Sequence, residues 1–272
     1  MTSLPMLGAA MTVDELETWR DWLIEGRRDL ELQSFIEAET LNGDWMKLVA
    51  RARRLLDGYE GRLGIHGPFW GFSIASEDPD VRALVARRLD QGLAVCEALG
   101  ATQMVIHSPH TTWSHNNLDS LPGARERLSE RVHDTLRDAV RRAENIGCTM
   151  VIENIEDKDP AVRVALAESF ASPAVAVSID TGHAHYAHGS TGAPPVDFYV
   201  TAAGNRLQHV HIQDADGYAD RHWEIGRGTV NWHAVFGALA RLDSNPRLIL
   251  ELRDKATIPA SVAWLEAAGL AQ

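Results

Sequence analysis

The residues of this chain that can do chemistry stand at the ends of short apolar runs. Twelve histidines occur in the sequence, none before His66, and many follow runs of Val, Ile and Leu. The stretch Ser178-Ile179-Asp180-Thr181-Gly182-His183 shows the pattern: a strand-like run ends on a carboxylate, and an imidazole follows three positions later, expected on a loop. An aspartate and a histidine so placed can bind one divalent ion, or two neighbouring ions, if other segments bring more oxygen and nitrogen ligands to the same place. Similar endings recur in LGIH (His66), QMVIH (His107), TMVIE (Glu153), LQHVHIQ (His209 and His211) and LILE (Glu251).

Strand-like and helix-like segments alternate about eight times, the order that positions such endings together. Strands are expected at 4–11, 29–35, 62–67, 103–107, 149–153, 174–180, 207–213 and 248–251. Between them, Thr12 and Glu15 form a capping-box pattern ahead of Leu16, Trp19 and Leu23, and Gly26 stops that run. Residues 45–56 are helical in pattern. The clearest helix has Asp78 as cap, Pro79 at its first position, a stripe from Val81 to Cys96, and Gly100 as terminator. Another carries Leu128, Val132, Leu136 and Val140 on one face and ends at Gly147; further helices are expected at 159–170, 231–242 and 258–268. Short strands rich in Val, Ile and Leu suit a parallel sheet buried on both faces. Eight such units in roughly 250 residues fit one (β/α)8 TIM barrel. A doubly wound sheet is the alternative, but no glycine-rich phosphate loop follows the first strand. No linker divides residues 1–272, so one domain is expected, and Gly189 to Pro195 (GSTGAPP) reads as an active-site loop.

The 272 residues are 45% hydrophobic and 24% charged, enough for a substantial core. No run approaches the roughly 20 apolar residues of a membrane span, and the N-terminal stretch lacks the features of a secretory signal, so a cytoplasmic protein without a membrane partner is expected. Cys96 and Cys148 lie in helix-like patterns without metal spacing and read as small buried hydrophobes. A net charge of -12 argues against broad nucleic-acid binding.

Alternate residues of a barrel strand face the helices and the lumen. With Leu63 and Ile65 outward, His66 faces in; Met104 and Ile106 outward leave His107 inward. The same rule turns inward Glu153 after Met150 and Ile152, Asp180 after Val177 and Ile179, His209 and His211 around Val210, and Glu251 after Leu250. A lone inward histidine is usually a hydrogen-bonded structural residue. Three carboxylates crowded into one barrel mouth are a different matter, because their repulsion costs stability unless a cation lies between them. The expected core is Glu153, Asp180, His211 and Glu251, a set of three oxygens and one nitrogen suited to Mn, Zn, Mg, Co or Fe. His209 lies deeper and reads as a supporting residue. Trp70 and Trp113, with Phe69 and Trp223, fall near strand ends or in rim loops, where an aromatic wall can stack on a sugar or simply close the mouth.

Taken together, IHGPFW, VIHSPH, VIENIE, SIDTGHAH, HVHIQD, DRHWEIGRGTVNW and LILELR resemble the xylose-isomerase-like TIM barrels, which include sugar isomerases and epimerases and the endonuclease IV type of abasic-site nuclease. The resemblance runs from about residue 60 to 254. On the epimerase side it implies one metal on Glu153, Asp180, His211 and Glu251. The two glutamates would pass a proton on opposite faces of a keto-sugar or sugar phosphate, by way of a metal-stabilised enediolate, and His183 and Arg221 would contact substrate oxygens. On the nuclease side it implies up to three zinc ions on nine residues, for which this sequence offers His66, His107, Glu153, Asp180, His183, His211, Asp220, His222 and Glu251.

Two departures weigh against the nuclease: ENIEDKDP replaces a glycine-rich segment, and DTGHAH has glycine where cysteine is usual. No basic loop stands ready to kink DNA. Asp220 and Arg221 also have a simpler reading, as an ion pair on the surface. The expectation is therefore a metal-dependent sugar isomerase or epimerase with a small carbohydrate substrate. A zinc phosphodiesterase is the alternative, and a barrel that binds sugar or metal without turnover is a lesser one. Self-association is left open.

Overall fold

The computed structural model describes residues 4–272. Eight strands pair in sequence order, all parallel, and β8 closes on β1. They are β1 Leu7–Met11, β2 Leu30–Leu32, β3 Leu63–His66, β4 Gln103–His107, β5 Thr149–Glu153, β6 Val175–Asp180, β7 Leu207–Ile212 and β8 Arg247–Leu250. The helices are α1 Leu16–Glu25, α2 Ala38–Asn42, α3 Trp45–Leu55, α4 Pro79–Leu99, α5 Thr112–Asn117, α6 Ala124–Ile146, α7 Pro160–Ser169, α8 Thr181–Thr191, α9 Val196–Ala203, α10 Trp232–Leu239 and α11 Ile258–Ala267. This is the (β/α)8 barrel that the alternation implied.

Strand facing follows the period-2 rule. Met104, Ile106, Met150, Ile152, Val177, Ile179, Val210, Ile212, Leu248 and Leu250 join one outer core between strands and helices. Val105, Val151 and Ala176 form a separate inner cluster in the lumen. Buried Glu31, Gln103, His209 and Arg247 share the lumen with Val105, so the polar strand ends stand above a layer that is partly apolar and partly charged.

Local chemistry fixes the ends of the helices. Asp78 accepts from the Asp80 amide, Pro79 opens α4, and Gly100 closes it in the left-handed region at φ 71°. Gly147 does the same for α6 at φ 69°. Thr12 and Glu15 exchange the capping-box contacts ahead of α1.

Three expectations need correction. β2 spans only Leu30–Leu32: the Gln33 amide makes the last ladder bond, to Met11 O, and the chain turns at residues 34–35. His183 stands in the first turn of α8 rather than on a loop, since the Asp180 side chain caps that helix on the His183 amide. Gly189 to Thr191 are the last turn of the same helix, closed by Gly192 at φ 71°, so GSTGAPP is a helix end and linker and not an active-site loop.

Candidate metal centre

Four strand ends bring the core residues together at the C-terminal mouth of the barrel. Asp180 and His211 are fully buried, Glu153 is almost so, and Glu251 is 9% exposed. One ligand atom from each lies within 4.8 Å of all the others. His211 Nδ1 is 2.8 Å from Glu153 Oε1, 3.3 Å from Glu251 Oε2 and 4.0 Å from Asp180 Oδ2.

Three further groups meet the same 4.8 Å limit: two hold the rest of the expected residues, His66, His107 and Glu153 in one and His183, Asp220 and His222 in the other, and a last one joins Glu31 and His209 to His211. Glu153 belongs to two of the groups. Its Oε2 is buried without a hydrogen-bond partner among the described residues, and His66 Nε2 and His107 Nε2 each lie 3.6 Å from it. An unpaired buried carboxylate oxygen costs free energy, and a cation between it and the two imidazoles would remove that cost.

The histidine tautomers fit the same reading. A ligating imidazole usually donates its other N–H to a carbonyl or carboxylate. His66 Nδ1 faces Gly67 O at 2.9 Å, His183 Nδ1 faces Asn154 O at 3.0 Å, and His222 Nδ1 faces Glu251 O at 2.9 Å. Each arrangement leaves Nε2 for the centre: His183 Nε2 is 3.4 Å from Asp220 Oδ2, and His222 Nε2 is 3.0 Å from it. His211 is turned the other way, with Nε2 3.1 Å from both Glu31 oxygens and Nδ1 toward the core.

Electrostatics describe the protein before any ion binds. Burial opposes charge on Glu153, but the charge and hydrogen bond of His211, with the His66 and His107 imidazoles nearby, outweigh it and hold the carboxyl well below the usual range. Burial, with help from Glu153 and Glu251, pushes Asp180 up to about 6. His107 is pushed down to about 3 by burial, the neutral form a ligand needs. His222 is lifted to about 9, because the Asp220 hydrogen bond and the Glu251 charge overcome its burial. Protons here occupy the places that a divalent ion would take.

Comparison with known proteins agrees with this architecture. The family model described as a xylose isomerase-like TIM barrel matches residues 28–268. The chain belongs to that family. Among solved structures, it is similar to a D-tagatose 3-epimerase-like protein at TM-score 0.78 and 20% identity, over 96% of both chains. The TTHB071 protein from Thermus thermophilus, solved after soaking with zinc chloride, superposes at TM-score 0.73 with 28% identity, over 98% of this chain and 99% of that one. The 3-keto-D-glucoside 4-epimerase from E. coli aligns at TM-score 0.69 and 16% identity, over 97% and 99%. A curated relative, the uncharacterized protein MJ1311 of Methanocaldococcus jannaschii, is 25% identical over 196 residues, 69% of this chain and 63% of its own length.

Within this xylose isomerase-like site, all nine residues expected of a multinuclear centre fall into the core, the His66 group and the His183 group. Asp220 and Arg221 do not pair with each other. Asp220 bonds His222 and Gln213, while Arg221 is held by Asp216 at 2.8 Å and lies over Trp223, tied to the rim rather than to a ligand group. His222 adopts φ 50°, a rare backbone for a non-glycine, at the one turn that returns the chain to the mouth. Trp70 and Trp113 are 61% and 63% exposed on the rim, with Trp70 against Phe69. His185 and His188 bond Thr229 Oγ1 and Ala193 O and stand apart from all these groups.

Three residues escaped the sequence reading. Glu31 is 2% exposed in the lumen. Gln33 donates to Glu251 Oε1 at 2.5 Å. Gln213 donates to Asp180 and to Asp220, and its carbonyl accepts from the His222 amide at 2.6 Å, so one amide ties the core to the His183 group. Gly182 is explained by that contact, since a Cβ there would come within 2.3 Å of the Gln213 side chain. The alternation that located His66 and His107 also turns Glu31 and Gln213 inward.

Proposed function

We propose that this barrel is a divalent-metal-dependent isomerase or epimerase acting on a small hydroxy-carbonyl carbohydrate. The observation that carries the reading is the placement of two glutamates, Glu153 and Glu251, in one compact ligand group with Asp180 and His211. The names of several proteins of the same architecture, sugar epimerases among them, accord with it. A divalent ion at this place supplies neutralisation of the carboxylates and polarisation of a substrate carbonyl.

Asp180 and His211 are the buried anchors of the group. Glu251 is its most exposed member and is oriented by Gln33. It is the glutamate better placed to take a proton from the carbon beside the carbonyl, while Glu153 serves from the inner side. His183 stands beside the inner glutamate, 3.7 Å from Glu153 Oε1.

The His66 and His183 groups favour a second reading, a three-ion phosphodiesterase. Charge separates the two. Three core carboxylates against one divalent ion leave the mouth negative and suited to an uncharged sugar. Adding Asp220 and two more ions leaves it positive and suited to a phosphate ester. A nucleic-acid substrate fits poorly with a net charge of -12 and with rim arginines already paired, Arg221 to Asp216 and Arg227 to Glu224.

The test is solvent exchange. Metal-loaded protein in deuterium oxide is expected to label the carbon beside the carbonyl in at least one of a panel of ketoses. Hydrolysis of a phosphodiester with no label in any ketose would transfer the assignment to the second reading.

A further inference from the structure

Below the mouth, Glu31 occupies the centre of the lumen. Its carboxylate lies 3.1 Å from His211 Nε2 through both oxygens, and its Oε2 lies 3.1 Å from His209 Nε2. His209 Nδ1 is 2.8 Å from Ser178 Oγ. Glu31, Ser178, His209 and His211 are all at most 2% exposed, so water does not compete for these contacts.

The contacts fix the hydrogen on one nitrogen of His211. A carboxylate only accepts, so His211 donates to Glu31 from Nε2, while His209 Nε2 lies 3.1 Å from the same carboxylate without hydrogen-bond geometry. His209 Nδ1 pairs with Ser178 Oγ beneath it. His211 Nδ1 faces Glu153, Asp180 and Glu251, so by the same rule it also donates in the metal-free protein, and an ion would take that proton's place while the Nε2 hydrogen stays directed at Glu31. With an ion on Nδ1, the hydrogen that stays is the one on Nε2, because a bare Nε2 would set its lone pair against the Glu31 carboxylate at low dielectric, where repulsion is strong.

We propose that Glu31 is the positioning residue of the centre: it fixes the Nε2 hydrogen and ring orientation of His211, so that Nδ1 is the nitrogen offered to an ion. It acts through His211 and touches neither substrate nor ion. The proposal rests on the metal reading of the core, and it adds a residue from a strand that contributes no ligand.

Replacement of Glu31 by glutamine sharpens the test. An amide can turn N–H as well as C=O toward His211 Nε2, so the hydrogen there is no longer fixed. If Nε2 gives it up, the proton stays on Nδ1, where the ion would bind. Glu31→Gln and Glu31→Ala are expected to weaken zinc or cobalt binding about 10- to 100-fold, the usual effect of losing such a partner, as read by competition with a chromophoric chelator. Glu31→Asp is expected to recover part of the loss. Binding within twofold of wild type in both Glu31→Gln and Glu31→Ala would overturn the proposal.

A measurement on the unaltered protein guards against variants that do not fold. Nitrogen-15 shifts and couplings of His211 in the metal-free protein should show hydrogen on Nε2, retained when zinc is added. A spectrum with Nδ1 protonated and Nε2 bare would overturn the role of Glu31. If wild-type protein binds no divalent ion at all, the metal reading fails instead, and the tautomer spectrum still decides whether Glu31 orients His211.

Discussion

Glu153 and Glu251 share a ligand group yet differ in setting, one sealed under the mouth and the other reachable from it. Replacing either by glutamine removes a base while keeping its shape. Each change is expected to lower ketose exchange by about 100-fold or more, measured by deuterium incorporation, with the circular dichroism spectrum unchanged. Gly182→Ala is a subtler probe, because the added methyl collides with Gln213 rather than with a ligand. It is expected to cost about 1–3 kcal/mol of stability in denaturant unfolding and to loosen the His183 group, where Gln213 bonds Asp220 and the His222 amide. At this scale the sequence was informative wherever a strand imposes alternation: His66, His107, Glu153, Asp180, His211 and Glu251 all face the mouth. Glu31 and Gln213 obey the same rule and were equally readable. Asp220 and His222 were not, since they lie in an irregular turn where no period applies, and only the family resemblance pointed to them.

Elements carry the site by where they stop. α8 begins one residue after β6 because Asp180 is at once the last strand residue and the helix cap, with one oxygen on the His183 amide. That double use brings His183 to the mouth in a single turn, and no periodic pattern announces a helix starting on a ligand. α4 was legible almost to the residue, because aspartate, proline and glycine mark its ends by their own backbone preferences. Gly100 offers a control far from the chemistry. Its φ of 71° suits glycine, and no atom lies within 4 Å of an added Cβ. Gly100→Ala is therefore expected to cost about 1–2 kcal/mol of backbone strain, seen as a lower denaturant midpoint, with catalytic exchange and metal binding at wild-type level.

For the whole molecule, the barrel gathers opposite charges that only an ion or protons can reconcile. In the metal-free protein His222 titrates near 9, above its ordinary 6.5. Its contribution to stability is therefore complete below about 6.5 and is lost as the pH climbs through about 9. Asp180, raised from 3.8 to about 6, acts in the same direction at lower pH, because the folded state holds its proton longer than the unfolded chain does. Glu153, held low, works the other way and withdraws its support as the pH falls below its ordinary 4.5. Calorimetry of chelator-treated protein is expected to show a Tm that falls between about pH 6.5 and 9. Protein loaded with zinc or manganese should lose much less over that range, since the ion replaces the protons. A metal-free Tm that rises across that range would contradict the charge arrangement described for the mouth.

The proposed activity stands or falls on whether Glu153, Asp180, His211 and Glu251 hold a divalent ion. The most direct measurement is metal content by mass spectrometry after dialysis against manganese or zinc, made on the wild type and on Asp180→Asn. The wild type should retain at least one ion per chain, and Asp180→Asn should lose the core ion. One ion per chain would accord with the isomerase or epimerase reading, and three with the phosphodiesterase. A wild-type protein that retains none, or an Asp180→Asn protein that retains as much as the wild type, would contradict the metal centre itself.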